Sequence, residues 1–92
     1  MTRLIERAGH IAAVGVNAVV EASGLAADLR RPVALYLLTV GCNLPGATVA
    51  AIVGCTKQNV SKHLRRVEDA REDPTFDQAL ERLEHQLFGG TL

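Results

Sequence analysis

Apolar and polar positions recur along the chain at intervals of three and four residues, which predicts successive amphipathic helices, and no stretch shows the two-residue period of a strand. Over residues 3–21 the apolar side chains fall at Leu4, Ile5, Ala8, Ile11, Ala12, Val16, Val19 and Val20, one stripe of a first helix. Arg3, Glu6, Arg7, His10, Asn17 and Glu21 fall mostly on its other side. Gly9 and Gly15 weaken this helix, each by up to ~1 kcal/mol relative to Ala. Ala13, Val14 and Ala18 widen the apolar surface, so cover on more than one side is expected. Ser23-Gly24 stops it.

Leu25 to Leu29 read as a short helical turn or loop, and Pro32 suits the first turn of a second helix, where its missing N–H is not needed. Val33 to Val40 continue that helix and Gly41 ends it. Asn43 is the expected cap of a third helix, with Leu44 and Pro45 in its first turn, running to about Val53 before Gly54. Thr56 is the expected cap of a fourth, reaching about Glu72, and Asp73-Pro74 breaks the chain. Thr75-Phe76-Asp77-Gln78 has the form of a capping box for a last helix that carries Phe76, Ala79, Leu80, Leu83 and Leu87 on one face and ends at Gly89-Gly90. The expected fold is all-α: about five helices in one domain spanning 1–92, with an N-terminal helix over 1–22, a central region over 29–72 and an amphipathic C-terminal helix over 75–88.

Composition narrows the function. Ninety-two residues that are 48% hydrophobic suffice for one core and are too few for a nucleotide-hydrolysing domain, and no phosphate-cradling Gly-x-x-x-x-Gly-Lys-Ser/Thr stretch occurs. No uncharged apolar run approaches the ~18 residues of a membrane span, and Glu6, Arg7 and His10 interrupt any signal-peptide core, so a cytoplasmic protein is expected. Cys42 and Cys55 are too few for a disulfide framework and read as reduced thiols packing as small apolar residues. Together with His10, His63 and His85 they lack metal-ligand spacing, so neither metal nor other cofactor is expected. Asp69, Glu72 and Asp73 near a helix end read as surface charges rather than an acid–base pair, and Leu80, Leu83 and Leu87 as core rather than a coiled-coil seam. No enzymatic chemistry is expected.

The net charge is zero, yet the charge is unevenly spread. Residues 1–54 balance to +1, residues 55–71 carry Lys57, Lys62, Arg65, Arg66 and Arg71 against Glu68 and Asp69 for +3, and residues 72–92 total −4. A local basic segment, more than the chain total, is what attracts phosphate. That segment lies in a helix-turn-helix layout from Val49 to Leu64. Ala50 lets two helices cross closely, Gly54 supplies the turn, and Val60, Leu64 and Val67 share an inward face. At 100° per residue, Gln58, Lys62 and Arg65 lie opposite Val60, with Asn59 and Arg66 on the same side. A charged outer face is ordinarily only a solvated surface. Here the turn, the Thr cap and outward residues of the kinds that read base edges favour a recognition helix for the major groove. Thr56, Lys57, Gln58 and Asn59, then Ser61 and Lys62, are the expected base readers, and Arg65, Arg66 and His63 the expected phosphate contacts.

These residues also carry a family resemblance. Arg31-Pro32-Val33-Ala34-Leu35-Tyr36-Leu37 resembles the Arg-Gln-x-Ala-Met-Tyr-Leu segment that opens the DNA-binding domain of the bacterial replication initiator DnaA, in the Trp-repressor-like group. Leu44-Pro45 resembles the start of that domain's next helix, and Val60 to Arg71, with Arg65-Arg66-Val67-Glu68, resembles its recognition helix. The resemblance covers about residues 29–88. It implies double-stranded DNA as partner and places Arg31, with Arg30 as an alternative, in an adjacent minor groove. The family's Asp-His-Ser/Thr-Thr-Val reading run is replaced by Thr56-Lys57-Gln58-Asn59-Val60, so its DNA-box preference is not expected here, and the stretch from Leu44 to Thr56 is one residue longer. The initiator's ATPase domain has no counterpart in these 92 residues. Similar domains in activators of gene transfer agents suggest a small, nucleoid-associated transcription regulator that touches RNA polymerase or a co-activator. The alternatives are a replication-linked factor competing for initiator sites and a protein–protein adaptor whose helix-turn-helix does not bind DNA. The wide apolar arc around Val16, Val19 and Val20 offers either core packing or a homodimer interface within residues 4–20.

Overall fold

The computed structural model describes residues 2–89, with side chains from Arg7 onward, and folds them into five helices with no strand among the described residues. They are α1 (Thr2–Ala22), α2 (Ala27–Tyr36, continued by a π-helical turn over Leu37–Gly41), α3 (Gly46–Val53), α4 (Lys57–Ala70) and α5 (Pro74–Phe88). The all-α expectation therefore holds. The expected positions of the Leu4 and Ile5 side chains and of Gly90 lie outside the described residues.

α2 is the hub. Its seven consecutive residues Pro32 to Leu38 are all buried, as befits a helix covered on every side. α1 and α4 pack across it, α3 bridges α1 and α4, and α5 closes on α1 and the π-helical turn. One cluster built around Val33, Leu35, Leu37, Leu38, Val49, Val60, Val67 and Leu80 forms the core. The radius of gyration is 12.6 Å, close to the ~12 Å of one compact domain of this length.

Several local expectations are corrected. The second helix begins at Ala27, within the expected helical turn or loop, so Pro32 is interior rather than in the first turn. Proline has no N–H to give the Asp28 carbonyl four residues back, an omission α2 tolerates because its later turns are clamped by core contacts on all sides. Gly41 is the last helical residue, as expected, but not through a left-handed backbone. It provides space: a β-carbon there would lie 2.5 Å from the Phe88 ring. There the last turn widens, with Cys42 N–H donating five residues back to the Leu37 carbonyl at 2.9 Å and the Thr39 hydroxyl donating to the Leu35 carbonyl at 2.8 Å. Asn43 does not cap α3. It takes the left-handed turn conformation at φ +57°, and Pro45 occupies the capping position. The Thr75–Gln78 capping box does not form either, because Asp73 caps α5 by accepting the Thr75 N–H at 3.0 Å, one residue ahead of Pro74 at the first helical position.

In α1 the buried stripe is Gly9, Ala13, Val16 and Val20, with Ala12 and Val19 half-buried. Val16 and Val20 are thus core, whereas Ile11, assigned to the inward stripe, is 74% exposed beside Val14 at 73%. Gly9 is more than a weak helix position: a β-carbon there would collide with Ile52, so the glycine lets α1 lie close on α3.

Candidate nucleic-acid interface

α3 and α4 are joined by only Gly54, Cys55 and Thr56. Gly54 sits at φ +75°, where an L side chain is strained, and donates to the Ala50 carbonyl at 2.9 Å, and Cys55 N–H shares that acceptor at 3.0 Å. Thr56 is extended, and its hydroxyl oxygen accepts the Asn59 N–H at 3.1 Å, as its capping role requires. Ala50 and Val60 are buried where the two helices meet, Val67 continues the inward face and Leu64 is half-buried beside it.

The opposite face of α4 is open. Lys57, Gln58, Ser61, Lys62 and Arg65 are exposed, and among the described residues no hydrogen bond or ion pair engages their side chains. An open depression of about 490 Å³ lies at the start of this face, lined by Cys55, Thr56, Gln58, Asn59 and Lys62. From Gln58 to Arg65 the face extends ~10 Å along the helix axis, a length commensurate with recognition helices that meet a few successive base pairs.

The remaining sequence candidates are differently placed. Asn59 is half-buried and Thr56 is used as the cap. Arg66 is drawn to Asp28 of α2 at 2.6 Å, in a pair with both partners substantially exposed. The Arg30 guanidinium donates through Nε to the Leu25 carbonyl at 3.0 Å, tying it to the α1–α2 connection. Arg31 is exposed and lines a groove of about 290 Å³ with His10, Asn17 and Ile52. It also belongs to the electrostatic surroundings of His63: partial burial pushes that imidazole below its usual pKa, and the charges of Arg31, Lys62 and Arg66 push it the same way. Arg31 of α2 thus acts on the same imidazole as Lys62 and Arg66 of α4.

Arg71 stands apart. It belongs to the basic segment of the sequence, yet its guanidinium is turned into the domain, donating to Asp77 at 2.5 Å and to the Tyr36 hydroxyl at 2.8 Å, with Glu84 at 3.7 Å. Burial alone would lower its pKa, but the hydrogen bond to Asp77 and the Tyr36 interactions outweigh that and raise it. Sequence reasoning missed this role. The available signal was Tyr36 inside an apolar run, since a buried tyrosine hydroxyl needs a partner. Asp28 was missed too, and no local pattern links it to Arg66, 38 residues away.

Among the described residues no group of three metal-ligating side chains forms, and no helix is long and apolar enough to cross a membrane. Cys42 and Cys55 are free and half-buried, and burial pushes the Cys42 thiol up, the opposite of what a reactive thiol needs. No family model, curated protein or solved structure matches the chain.

Proposed function

We propose that the protein binds double-stranded DNA sequence-specifically through α4 and acts as a small transcription regulator at the nucleoid. The observation that carries this reading is the unengaged face of Lys57, Gln58, Ser61, Lys62 and Arg65, held outward by a tight turn at Gly54 and a capped first turn. This face keeps three cations without partners beside an amide and a hydroxyl, the combination suited to phosphate oxygens and base edges. Gln58 and Lys62 are the base readers, Lys57 and Arg65 the phosphate contacts, and Arg31 extends the positive region toward a neighbouring groove. RNA polymerase or a co-activator is the protein partner such a regulator would engage. The resemblance to the initiator's DNA-binding domain agrees with this docking mode, while the replaced reading run argues for a different target sequence.

Selection of duplexes from a random pool, followed by salt titration, tests the reading. A preferred site should emerge, with log affinity falling by ~0.9 per phosphate contact per log unit of salt. Gln58→Ala should cost about 1–3 kcal/mol on that site and little on random duplex. Enrichment of no sequence, together with a flat salt response, removes the proposal in favour of a protein–protein adaptor. Tenfold selectivity for the initiator's own box over scrambled duplex, about 1.4 kcal/mol, assigns the protein to replication instead.

A further inference from the structure

We infer that α1 carries a second, self-complementary interface through which two copies of this chain associate antiparallel. The core already takes one side of α1, with Gly9, Ala13, Val16 and Val20 buried. Even so, Ile11 and Val14 remain 74% and 73% exposed on the same helix, two of the three large apolar side chains so exposed among the described residues. Their exposure is not displaced core packing, because the inward positions are already filled.

The sequence around them has the form of a helix seam. Arg7, Ile11, Val14, Ala18 and Glu21 are spaced alternately by four and three residues, the repeat of coiled-coil contact positions. All five are exposed. At 100° per residue, Arg7 and Glu21 each lie about 20° from the direction of Val14, Ala18 about 40° and Ile11 about 60°, so the five form one narrow stripe. Ala18 and Gly15 keep the stripe low beside Val14, and a β-carbon at Gly15 would meet nothing within 4 Å, which leaves room for a close helix.

Charge selects the occupant and its direction. Arg7 stands seven residues before Val14 and Glu21 seven after it, each about 10 Å along the axis. A second copy laid antiparallel about a two-fold axis near Val14 brings Arg7 of each chain alongside Glu21 of the other and packs Ile11 and Val14 across the axis. A parallel arrangement would instead oppose Arg7 to Arg7 and Glu21 to Glu21. The helix therefore matches its own reversed copy in both apolar content and charge, the requirement of an isologous interface. With only Ile11 and Val14 as large contacts, the dimer belongs with the small, weak interfaces and forms at micromolar or higher concentration.

Sedimentation equilibrium of the full chain without DNA, from low to several hundred micromolar, tests the inference apart from any nucleic-acid role. The wild type should pass from monomer to dimer, and Val14→Lys should stay monomeric with unchanged helix content. Arg7→Glu and Glu21→Arg should each weaken association several-fold, and the double variant should restore it. A wild type that stays monomeric overturns the inference. So do a dimer insensitive to Val14→Lys, single charge reversals without effect, and a double variant no better than the singles.

Discussion

Arg71 offers a sharp separation between charge that holds the fold and charge available to a ligand. Its side chain is 27% exposed, with Asp77 and Glu84 at 34% and 30%, and it donates to Asp77 and to the hydroxyl of Tyr36, itself 9% exposed. Its guanidinium also lies 5.8 Å from the centre of the Tyr36 ring. Replacement by Ala deletes two charge-assisted hydrogen bonds, each worth about 1.5–3 kcal/mol net, and leaves the tyrosine hydroxyl with a poorer partner. Water reaches the partly exposed carboxylates and recovers part of that loss, so Arg71→Ala should cost about 2–3 kcal/mol. For a domain of this size each kcal/mol shifts Tm by about 4–8 °C, so the melting temperature should fall on the order of 10–20 °C. Arg71→Lys keeps the charge, loses the planar fork and should fall between the two. Urea unfolding gives the free energy and calorimetry the Tm, and the salt slope of DNA binding, measured well below the lowered Tm, should not change. A loss under about 0.5 kcal/mol, the range of an ordinary surface substitution, would refute the structural role. A slope flattened by ~1 would instead make Arg71 a phosphate contact.

Gly15→Ala should stabilise the monomer by about 0.5–1 kcal/mol, because its β-carbon meets open space in a helix. Gly41→Ala should destabilise by about 1–3 kcal/mol, because its β-carbon meets the Phe88 ring, and chemical denaturation of both variants checks the opposite signs. His63 has a folded-state pKa below its unfolded value, so the unfolded chain binds more protons as pH falls through the ordinary histidine range. Stability should therefore be fully present above that range and decline as pH falls toward the depressed folded pKa, and His63→Gln should flatten this part of the profile measured by unfolding at successive pH values. Asp28→Asn should release Arg66 toward a bound duplex and steepen the log–log salt slope by ~0.9. Its stability cost should be under ~1 kcal/mol, because the Arg66–Asp28 pair is 50% and 66% exposed, and an unchanged slope would show that Arg66 does not reach phosphate.

Where the sequence was readable, a local interaction set the structure. Thr56 capping Asn59 three residues on, Gly54 turning at positive φ, and the face of Phe76, Leu80 and Leu83 all follow from chemistry within one or two helical turns. Where it was not, two local solutions competed, and a neighbouring residue or a tertiary contact chose. Thr75 and Asp73 both suit a cap, and Pro74, best placed at the first helical position, favours Asp73. Asn43 suits a cap or a left-handed turn, and following the widened end of α2 it takes the turn. In α1 the apolar arc, widened by Ala13, Val14 and Ala18, is broader than the core needs, so periodicity could not tell which part of it is buried, and Gly9 against Ile52 helps to fix the rotation. The candidate interface divides the same way. The exposed positions of α4 followed from helical geometry, whereas the engagement of Arg66 and Arg71 depended on Asp28, Tyr36 and Asp77 in other helices.

That division changes what the basic segment means. As sequence, residues 55–71 carry five cations against two acids. In the fold, Arg71 serves the junction of α2, α4 and α5, and Arg66 is held by α2. Lys57, Lys62 and Arg65 are left without such partners, with Asp69 exposed farther along the same outward side. If α4 docks on DNA as proposed, its two phosphate contacts, Lys57 and Arg65, correspond to a salt slope of about 2, modest beside regulators with several times as many. On that proposal phosphate attraction alone would not hold a site, and affinity would come in large part from base contacts at Gln58 and Lys62, or from presenting two α4 helices to one duplex. The first gives sequence discrimination without much non-specific binding. The second requires an assembled pair, in which a weak interface is strengthened when both copies engage the same DNA. If both proposals hold, the sparse free charge of α4 and the exposed Ile11 and Val14 of α1 would be complementary features of one small chain.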